Sequence, residues 1–416
     1  MSPYGVVQAT GANRAEGWLA GMTVSLADGG SGCPGLGVGR SPSTGCGRAF
    51  DDPAHARMIA IAEAAERYSA YEPPTAGHRW ARAAELDGPV LDTTRLPRCS
   101  AAELAHPACP VTPFDADAPV RWIQGLDLVS RERTWMPAVM STYRLHPARP
   151  AERFWYQLST GFAVHTDPVE AVVRAILEVI ERDAIALTWL QRMPLRPIPA
   201  EAHSPMLDRL LAAAQRHFVH TLLLDATTDL GVPTVYCLQI AEHDPRARHV
   251  VGCAADRTLS AAAEKALAET LSIRDLVYAG PGAPESFEEF TDIADGARYM
   301  AVPERSEAFA FLHRGSAAGP RRPPPALPTP PQAALDTLLE RLSALDMPVL
   351  AVDRSHAELR SVGLTAVNVV IPDLQPMSLL PLAQFRAHPR LYRAPAAMGF
   401  PVHSEEELNP WPQPFA

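Results

Sequence analysis

A short motif of two glutamates and an arginine, Glu-x-x-Glu-Arg, occurs twice in this sequence, at 63–67 and 178–182. Residues three apart lie on the same face of a helix, so each copy presents a paired carboxylate edge. Oxygen-only ligands suit Mg²⁺ or Mn²⁺, and Mg²⁺ is usually bound by a few carboxylates plus the phosphates of a nucleotide. The motifs therefore predict a magnesium–nucleotide site, with Arg67 and Arg182 either facing phosphate oxygens or fixing the carboxylates. The candidate metal ligands are Glu63, Glu66, Glu178 and Glu181.

Both motifs belong to a longer duplicated segment. Residues 43–72 and 159–187 share Ser-Thr-Gly, then Asp-Pro, then Glu-x-x-Glu-Arg in the same order. One such triplet alone is most often a solvated, self-paired helix face, but a solvated face does not need the same loop, cap and spacing twice. In each copy the aspartate fits a helix N-cap and the proline fits the first helical position. The sequence thus predicts two loop-to-helix units that each carry a carboxylate edge.

Other metal and nucleotide chemistries lack their sequence signals. A di-iron carboxylate site would need Glu-x-x-His, and a P-loop enzyme would need G-x-x-x-x-G-K-[ST], which is absent. No C-x-x-C pair is present to begin a zinc site. We interpret the six cysteines as reduced, mostly packing thiols: Cys33, Cys46, Cys99, Cys109, Cys237 and Cys253.

Composition limits the class of protein and its partners. With 416 residues, 47% of them hydrophobic and 20% charged, the chain is predicted to fold, and its 42 prolines mark local loops. A net charge of -10 argues against nucleic-acid binding, which normally needs a basic patch. No apolar run approaches the roughly 20 residues that span a bilayer, and the N-terminus lacks a signal-peptide pattern. We expect a soluble, cytoplasmic protein without membrane or nucleic-acid partners.

The elements that must position the motifs alternate between helix and strand, which predicts an α/β (α+β) fold. Ser260 is the expected N-cap of one helix and Gly280 lies beyond its end. Residues 314–332 predict a proline-rich surface loop, and 409–416 an extended tail. The predicted helices cover 204–217, 260–278 and 332–346. The predicted strands are a hairpin over 119–139 and single strands at 219–226, 232–241, 347–353 and 364–372.

Several segments resemble the YcaO family of ATP-dependent enzymes that modify backbone amides. They are AEAAERYSA (62–70), STGFAVHTDPVEA (159–171), LEVIERDAIALTW (177–189), ALAETLSIRD (266–275) and the tail Pro410-x-Pro412-x-Pro414. The resemblance extends from about Gly45 to Ala416. It implies a single YcaO domain over 1–416, with internally duplicated helix and sheet units enclosing an ATP–Mg²⁺ site and no separate leader-binding domain.

The resemblance also implies roles for individual residues. The four glutamates match ligands of Mg²⁺ and ATP phosphates, with Arg67 and Arg182 beside them. Glu170 matches an ATP-contacting glutamate, and Glu269 and Arg274 match a third nucleotide-binding element. The sequence departs from the family pattern at Ile59, Ala163, Arg174 and Ser272.

Lys265 is the only lysine in the chain and lies one turn before Glu269 on the same predicted helix. This position predicts one of two roles for the lysine. It forms either an ordinary i,i+4 surface pair with Glu269, worth a few tenths of a kcal/mol, or a contact to phosphate. The cofactor-binding candidates are therefore Arg67, Glu170, Arg182, Lys265, Glu269 and Arg274.

The proline-spaced tail is typical of the azoline-forming cyclodehydratases of the family, the D-protein type. In these enzymes a Cys, Ser or Thr side chain attacks the preceding backbone carbonyl, ATP phosphorylates the amide oxygen, and loss of phosphate leaves a thiazoline or oxazoline. The resemblance places Pro410, Pro412, Pro414 and Ala416 at the active site, where the terminal carboxylate helps to order catalysis. Three alternatives stay open: a YcaO enzyme that forms a thioamide or amidine, a catalytically idle nucleotide-binding scaffold, or a tail that is a frayed end.

The expected partners follow from the same resemblance. The substrate would be a ribosomally made precursor peptide. Because few residues precede the first motif, we expect a separate leader-peptide-binding partner protein to recruit that peptide. A flavin-dependent azoline dehydrogenase and a homodimer are further expectations drawn from the family.

Overall fold

The structure is a computed structural model that describes residues 5–14, 22–29, 44–71, 77–143, 145, 148–156, 158–291, 293–316 and 323–416. It mixes helices with antiparallel sheets, which confirms the α/β (α+β) prediction. The chain divides into two compact units. Unit 1 comprises Met1–Thr94, Phe114–Ile176 and Pro330–Ile371, and unit 2 comprises Arg95–Pro113, Leu177–Thr329 and Pro372–Ala416.

Strands and helices are numbered in chain order. The strands are β1 (Ala9–Arg14), β2 (Met22–Asp28), β3 (Gly45–Phe50), β4 (Arg79–Ala81), β5 (Val120–Asp127), β6 (Arg133–Pro137), β7 (Phe162–His165), β8 (Arg196–Pro197), β9 (His220–Asp225), β10 (Thr234–Ile240), β11 (His249–Ala255), β12 (Leu350–Asp353) and β13 (Thr365–Val370). The helices are α1 (Pro53–Ser69), α2 (Ala101–Ala105), α3 (Pro168–Leu190), α4 (Pro205–Arg216), α5 (Leu259–Ala279), α6 (Asp295–Ala301), α7 (Ala310–Ser316), α8 (Pro331–Ala344), α9 (Ala357–Ser361) and α10 (Arg390–Ala397).

Unit 1 contains antiparallel sheets. One has the strand order β1-β2-β3, and another has the order β4-β5-β12-β13-β7, with β6 also paired to β5. The predicted hairpin is confirmed, because β5 and β6 pair with Gln124 opposite Trp135. The two strands predicted near the C-terminus are confirmed as β12 and β13, which pair with Ala351 opposite Val369.

Helix α1 packs closely on strand β3 because two positions of the strand are glycine. A Cβ atom at Gly47 would lie 1.9 Å from the carbonyl oxygen of Ala56, and a Cβ at Gly45 would lie 2.1 Å from that of Ala60. Side chains cannot fit at such distances, so only glycine allows this approach. The contact fixes the helix against the strand and thereby the place of the first glutamate motif.

Unit 2 is built around a sheet with the strand order β11-β10-β9-β8. The strands predicted at 219–226 and 232–241 are confirmed as β9 and β10. Helix α5 packs on this sheet at Gly252, where a Cβ would lie 2.7 Å from the Ala266 carbonyl oxygen. The helix predicted at 204–217 is confirmed as α4, which begins after Ser204 as its N-cap.

The predicted N-cap of α5 was wrong. The cap is Thr258, whose hydroxyl oxygen accepts the Ala261 N–H at 3.1 Å, so Ser260 lies inside the helix. Either hydroxyl could serve as a cap. The strand-to-helix turn that follows Ala255 places the first helical residue, Leu259, directly after the threonine. Gly280 ends the helix as predicted.

The proline-rich segment 314–332 is only partly the surface loop that was predicted. Residues 314–316 complete α7, residue 331 begins α8, and 317–322 lie outside the described residues. Leu327 is buried, and its N–H donates to the Arg257 carbonyl oxygen at 2.8 Å. This apolar side chain anchors the segment, so burial overrides the prediction of exposure there. The helix predicted at 332–346 is confirmed as α8.

Within the described ranges of the chain, no helix combines the length and apolar character needed to cross a bilayer.

Candidate functional site

The predicted loop-to-helix units are present in front of both glutamate motifs. Asp52 caps α1 by accepting the His55 N–H at 2.9 Å, and Pro53 is the first helical residue. Asp167 accepts the N–H groups of Val169 at 2.8 Å and Glu170 at 3.1 Å at the start of α3. Each aspartate is separated by one residue from the end of a strand, β3 or β7, and lies directly before its helix, so the Asp-Pro spacing recurs.

In unit 1 the first motif is tied to its own arginine and to the neighbouring strand. Glu63 Oε1 accepts Arg67 Nη2 at 2.7 Å, and Glu63 Oε2 accepts the Cys46 N–H at 2.8 Å. Burial acts to lower the pKa of Arg67, but the carboxylates of Glu63 and Glu66 raise it overall. The guanidinium therefore stays charged and holds the first carboxylate in place.

In unit 2 the second motif makes a comparable set of contacts. Glu181 Oε1 pairs with Arg182 Nη1 at 3.2 Å, while Glu181 Oε2 accepts the Ala255 N–H at 3.0 Å from the end of β11. Glu178 Oε1 lies 3.5 Å from Arg182 Nη2. Burial raises the pKa of the Glu181 carboxyl, and Arg182 with the Ala255 N–H opposes that rise. Each motif thus combines an arginine pair with a strand N–H.

Helix α5 adds a third set of charged groups to the second motif. Burial acts to lower the pKa of Arg182, but nearby carboxylates, including that of Glu269, raise it overall. Lys265 Nζ pairs with Asp256 Oδ2 at 2.9 Å. The charge of Lys265 acts to lower the pKa of Glu181, and that of Asp256 acts to raise it. Within unit 2 the structure therefore brings the predicted residues Glu178, Glu181, Arg182, Lys265 and Glu269 together.

Asp256 was missed by the sequence analysis. It directly follows β11 and precedes the N-cap of α5. Asp52 and Asp167 are instead separated from their strands by one residue and lie directly before α1 and α3, and in front of α5 the cap is Thr258. The cap pattern of the two glutamate motifs therefore does not identify Asp256.

Two predicted cofactor residues have structural partners of their own. Arg274 is buried; its Nε donates to Gln239 Oε1 at 3.1 Å and its Nη1 to the Ala247 carbonyl oxygen at 2.7 Å. Glu170, in unit 1, is buried and accepts Arg174 Nε at 3.0 Å. Nucleotide contacts by Arg274 and Glu170 stay predictions.

The remaining departures from the family pattern occupy packed positions. Ile59 lies against Gly47, and Ala163 is buried in β7. The Ser272 hydroxyl donates to the Ala268 carbonyl oxygen at 3.0 Å within α5. These residues contribute packing or local hydrogen bonds in the described structure.

The C-terminal tail is packed into unit 2, so the interpretation as a frayed end is wrong. The Trp411 carbonyl oxygen accepts Trp189 Nε1 from α3 at 2.9 Å. Phe415 is 1% exposed and meets the ring of Tyr236 edge-on at a centroid distance of 5.5 Å. A Cβ at Gly296 would lie 2.4 Å from the Gln413 carbonyl oxygen, so α6 also receives the tail closely. Of the three prolines, Pro412 and Pro414 are buried and Pro410 is exposed.

The end of the tail packs on the sheet that also contacts the second motif. Tyr236, which contacts Phe415, is paired across the sheet with Cys253. Burial first, and then the carboxylates of Glu181 and Glu269, raise the pKa of the Cys253 thiol. Ala416 packs against a cluster that includes Ile273, one helical turn after Glu269. The tail and the second motif therefore both contact the sheet of unit 2, the tail at β10 and Glu181 at β11.

The donor chemistry of both motifs fits Mg²⁺ carried by a nucleotide. Among the residues described, no group of three or more histidine, cysteine or acidic side chains is gathered for a metal ion by itself. Mg²⁺ commonly takes only one or two carboxylates and completes its shell with water and phosphate oxygens. Paired glutamates backed by arginine meet that requirement, and a closed cage of protein ligands is not needed.

These features define an α/β protein with two capped helices that carry carboxylates and with a proline-spaced tail packed beside one of them. The family described as "YcaO cyclodehydratase, ATP- and Mg²⁺-binding" matches residues 46–375. The chain belongs to the YcaO family, which confirms the resemblance seen in the sequence and the prediction of ATP and Mg²⁺ as cofactors.

Solved structures share the fold. "Heterocyclase in complex with substrate and Cofactor" has a TM-score of 0.81 at 19% identity, covering 99% of this chain and 55% of that one. The YcaO protein from Methanopyrus kandleri bound with AMPPCP and Mg²⁺ has a TM-score of 0.61 at 19% identity. The match covers 89% of this chain and 86% of that one. A chain of the Escherichia coli microcin synthetase McbBCD complex has a TM-score of 0.67 at 15% identity. The match covers 100% of this chain and 98% of that one.

A curated relative matches part of the chain. "Uncharacterized protein in tfuA 3'region" from Rhizobium leguminosarum bv. trifolii is 29% identical over 207 residues, which are 47% of this chain and 49% of that protein. A second relative, "Uncharacterized protein" from Methanothermobacter thermautotrophicus, is 27% identical over 181 residues. These are 43% of this chain and 44% of that protein. The matches span about half the length of these relatives, and the chain covers about half of the first heterocyclase structure.

The two interpretations of Lys265 can now be tested against each other. The lysine is half-exposed and pairs with Asp256, so a purely structural pair would be worth under about 1 kcal/mol. If its ammonium contacts a phosphate, Lys265→Ala should raise the ATP concentration for half-saturation about tenfold, the loss of one charge-assisted hydrogen bond. Titration of ATP binding measures this shift.

The matched variant for that test is Asp256→Asn. It releases the lysine without removing its charge, so it should leave ATP affinity within about twofold or raise it. Equal ATP affinity in wild type and Lys265→Ala would assign the lysine to the surface pair alone.

Proposed function

We propose that this protein catalyses the ATP-dependent cyclodehydration of Cys, Ser or Thr residues in a ribosomally made precursor peptide, forming thiazoline or oxazoline rings. The observation that carries the proposal is the tail Pro410-x-Pro412-x-Pro414, packed in unit 2 against Trp189 of α3, the helix that carries the second glutamate motif. A proline-spaced tail is typical of azoline-forming YcaO enzymes. A tail that was mobile, and not packed, would not support ring formation over thioamide or amidine formation.

The similar structures support a peptide-modifying reaction. One is a heterocyclase in complex with substrate and cofactor, and another is a peptide-bound form of the microcin synthetase complex McbBCD with pro-MccB17. We propose by analogy that a precursor peptide and a separate leader-peptide-binding protein act with this chain. A flavin-dependent azoline dehydrogenase, a homodimer and the single-domain organisation stay predictions.

The residues of this chain suit the steps of that reaction. Amide oxygen is a poor leaving group, so phosphorylation makes its departure possible; bound Mg²⁺ would offset the triphosphate charge. Glu63 and Glu66 in unit 1, and Glu178 and Glu181 in unit 2, are the proposed Mg²⁺ ligands, with Arg67 and Arg182 fixing the carboxylates of their own motifs. Catalysis of phosphoryl transfer rests mainly on positioning and electrostatics, which this arrangement of rigid helices provides.

Mass spectrometry of the peptide product tests the proposed reaction directly. The purified chain is incubated with Mg²⁺, ATP, a Cys-, Ser- and Thr-containing precursor and the candidate recruitment protein. We expect the loss of one water per ring and stoichiometric release of phosphate. In a parallel reaction supplied with inorganic sulfide, a gain equal to the replacement of oxygen by sulfur would identify a thioamide-forming enzyme instead.

Two controls define the other outcomes. Omission of the recruitment protein should greatly reduce ring formation, because the peptide must be delivered to the site. ATP binding without any peptide-dependent phosphate release, under conditions in which the recruitment protein binds the peptide, would favour a catalytically idle scaffold and contradict the proposal.

A further inference from the structure

A buried group of three charged side chains lies on the helix of the second glutamate motif. Arg390 donates from Nη2 to Asp183 Oδ2 at 2.8 Å and from Nε to Asp183 Oδ1 at 3.1 Å. The same guanidinium donates to both oxygens of Asp229, at 2.8 Å and 2.6 Å. Asp183 is fully buried and Arg390 is 5% exposed. We call Asp183, Arg390 and Asp229 the clamp.

Every member of the clamp is hydrogen-bonded within it, and burial raises the pKa of the Asp183 carboxyl while the Arg390 guanidinium opposes that rise. Burial acts to lower the pKa of Arg390, but the carboxylates of Asp183 and Asp229 raise it overall, so the guanidinium stays ionised. Asp183 Oδ1 also accepts the Gln375 N–H at 2.8 Å. A bidentate arginine pair fixes the relative orientation of its partners more strictly than a single contact does.

The clamp contacts α3 on the side of the helix opposite the edge formed by Glu178 and Glu181. Asp183 follows Arg182 directly, and at about 100° per residue it lies roughly 200° around the helix from Glu181 and about 140° from Glu178. The clamp therefore leaves the edge facing β11 and α5. It fixes both the rotation of the helix and its position along the axis, in the turn that carries Glu181.

The other side of the clamp belongs to the segment that leads to the tail. Arg390 is the first residue of α10, after which the chain continues to residues 409–416. The preceding loop is itself anchored: Arg95 pairs with Asp373 at 3.1 Å, and the N–H of Arg386 donates to Glu103 at 2.9 Å. Gln375, whose N–H donates to Asp183, also donates its side-chain amide to the Gln384 carbonyl oxygen, so the clamp is connected to the loop that precedes α10.

We propose that Asp183 and Arg390 are positioning residues for the Mg²⁺–ATP site, holding the second glutamate motif at the rotation that binding requires. They act through α3 and touch neither the metal nor the nucleotide. The proposal rests on the assignment of Glu178 and Glu181 as Mg²⁺ ligands. No apolar replacement of the pair would supply the same directional constraint.

The test measures Mg²⁺-dependent ATP binding in the full-length protein, without peptide. Asp183→Asn and Arg390→Lys should each raise the Mg²⁺ concentration for half-saturation on the order of tenfold, the effect of losing a residue that orients metal ligands. Turnover at saturating Mg²⁺ should change less. Asp229→Asn removes only the outer carboxylate and should give a smaller shift in the same direction, and it serves as the test variant if the others do not fold.

A matched ion pair in unit 1 separates positioning from general stability. Arg121 Nε donates to Glu152 Oε1 at 2.9 Å, and Glu152 is 5% exposed. Arg121→Lys should lower the melting temperature yet leave Mg²⁺ half-saturation unchanged. Clamp variants that lose stability like this control but keep the wild-type Mg²⁺ dependence would overturn the proposal. Absence of Mg²⁺-dependent ATP binding in the wild-type protein would instead contradict the assignment of the glutamates.

Discussion

Glu178→Gln should reduce peptide-dependent release of phosphate by about 100-fold or more, because it removes the charge of a proposed Mg²⁺ ligand at the step where the triphosphate charge must be offset. The substitution preserves size and keeps a carbonyl oxygen. Glu178 is partly exposed, and its contact with Arg182 is long at 3.5 Å, so the free energy of unfolding should change little. A loss of activity with normal stability would assign the carboxylate to the cofactor.

Glu181→Gln should reduce activity as strongly but should also destabilise the fold. Its carboxylate is mostly buried, pairs with Arg182 and accepts the Ala255 N–H, and removal leaves a buried guanidinium partly uncompensated. Glu340→Gln, an exposed position on α8, is the control for mutation and purification. Phosphate release measured with a coupled assay, beside thermal unfolding, distinguishes the three variants. Wild-type turnover in Glu178→Gln would rule out its role as a metal ligand.

The parts of the site that the sequence predicted are those with local causes. Asp52 and Asp167 cap helices through hydrogen bonds to residues two or three positions ahead, and the proline after each fits only the first turn. Glutamates three apart share a face in any helix. Such features depend on neighbouring residues alone, so the repeated pattern was sufficient to identify both units.

The parts that the sequence did not predict depend on contacts between distant segments. Lys265 pairs with Asp256, which lies before its helix, although spacing alone suggested Glu269 as the surface partner. Arg274 carries the family pattern, but the β10–β11 connection brings Asp244 and Ala247 to it. Asp183 and Arg390 are separated by most of unit 2 in sequence. No periodicity or cap encodes which of these residues will meet.

The tail was predicted partly from the sequence, and its packing is visible only in the structure. Its proline spacing is visible in the sequence, and prolines at Pro410, Pro412 and Pro414 restrict the backbone to extended conformations. That Phe415 fills the space beside Tyr236, and that Trp189 donates to Trp411, follows only from the folded unit. The sequence predicted the shape of the tail, and the structure supplies the surface against which it lies.

Phe415→Ala should therefore affect stability and reaction together. Phe415 is 1% exposed within the main core of unit 2, and truncating a buried phenylalanine typically lowers the free energy of unfolding by about 3–5 kcal/mol. The loss of the ring also removes the contact of the tail with Tyr236 of β10, the strand paired with β11, whose Ala255 N–H donates to Glu181. Ring formation should fall at least tenfold at temperatures where the variant is still folded, since small displacements of positioning groups are costly to catalysis.

Leu408→Ala provides the matched comparison, because Leu408 is 4% exposed in the same core but precedes the proline-spaced residues. It should destabilise the protein by about 2–5 kcal/mol while retaining most of the ring formation of the folded wild type. Chemical denaturation gives the two free energies of unfolding, and mass spectrometry of the peptide gives the two rates. If both variants lose ring formation only in proportion to their unfolded fraction, the tail stabilises unit 2 without ordering the reaction. A selective loss in Phe415→Ala is the result that a packed, active-site tail requires.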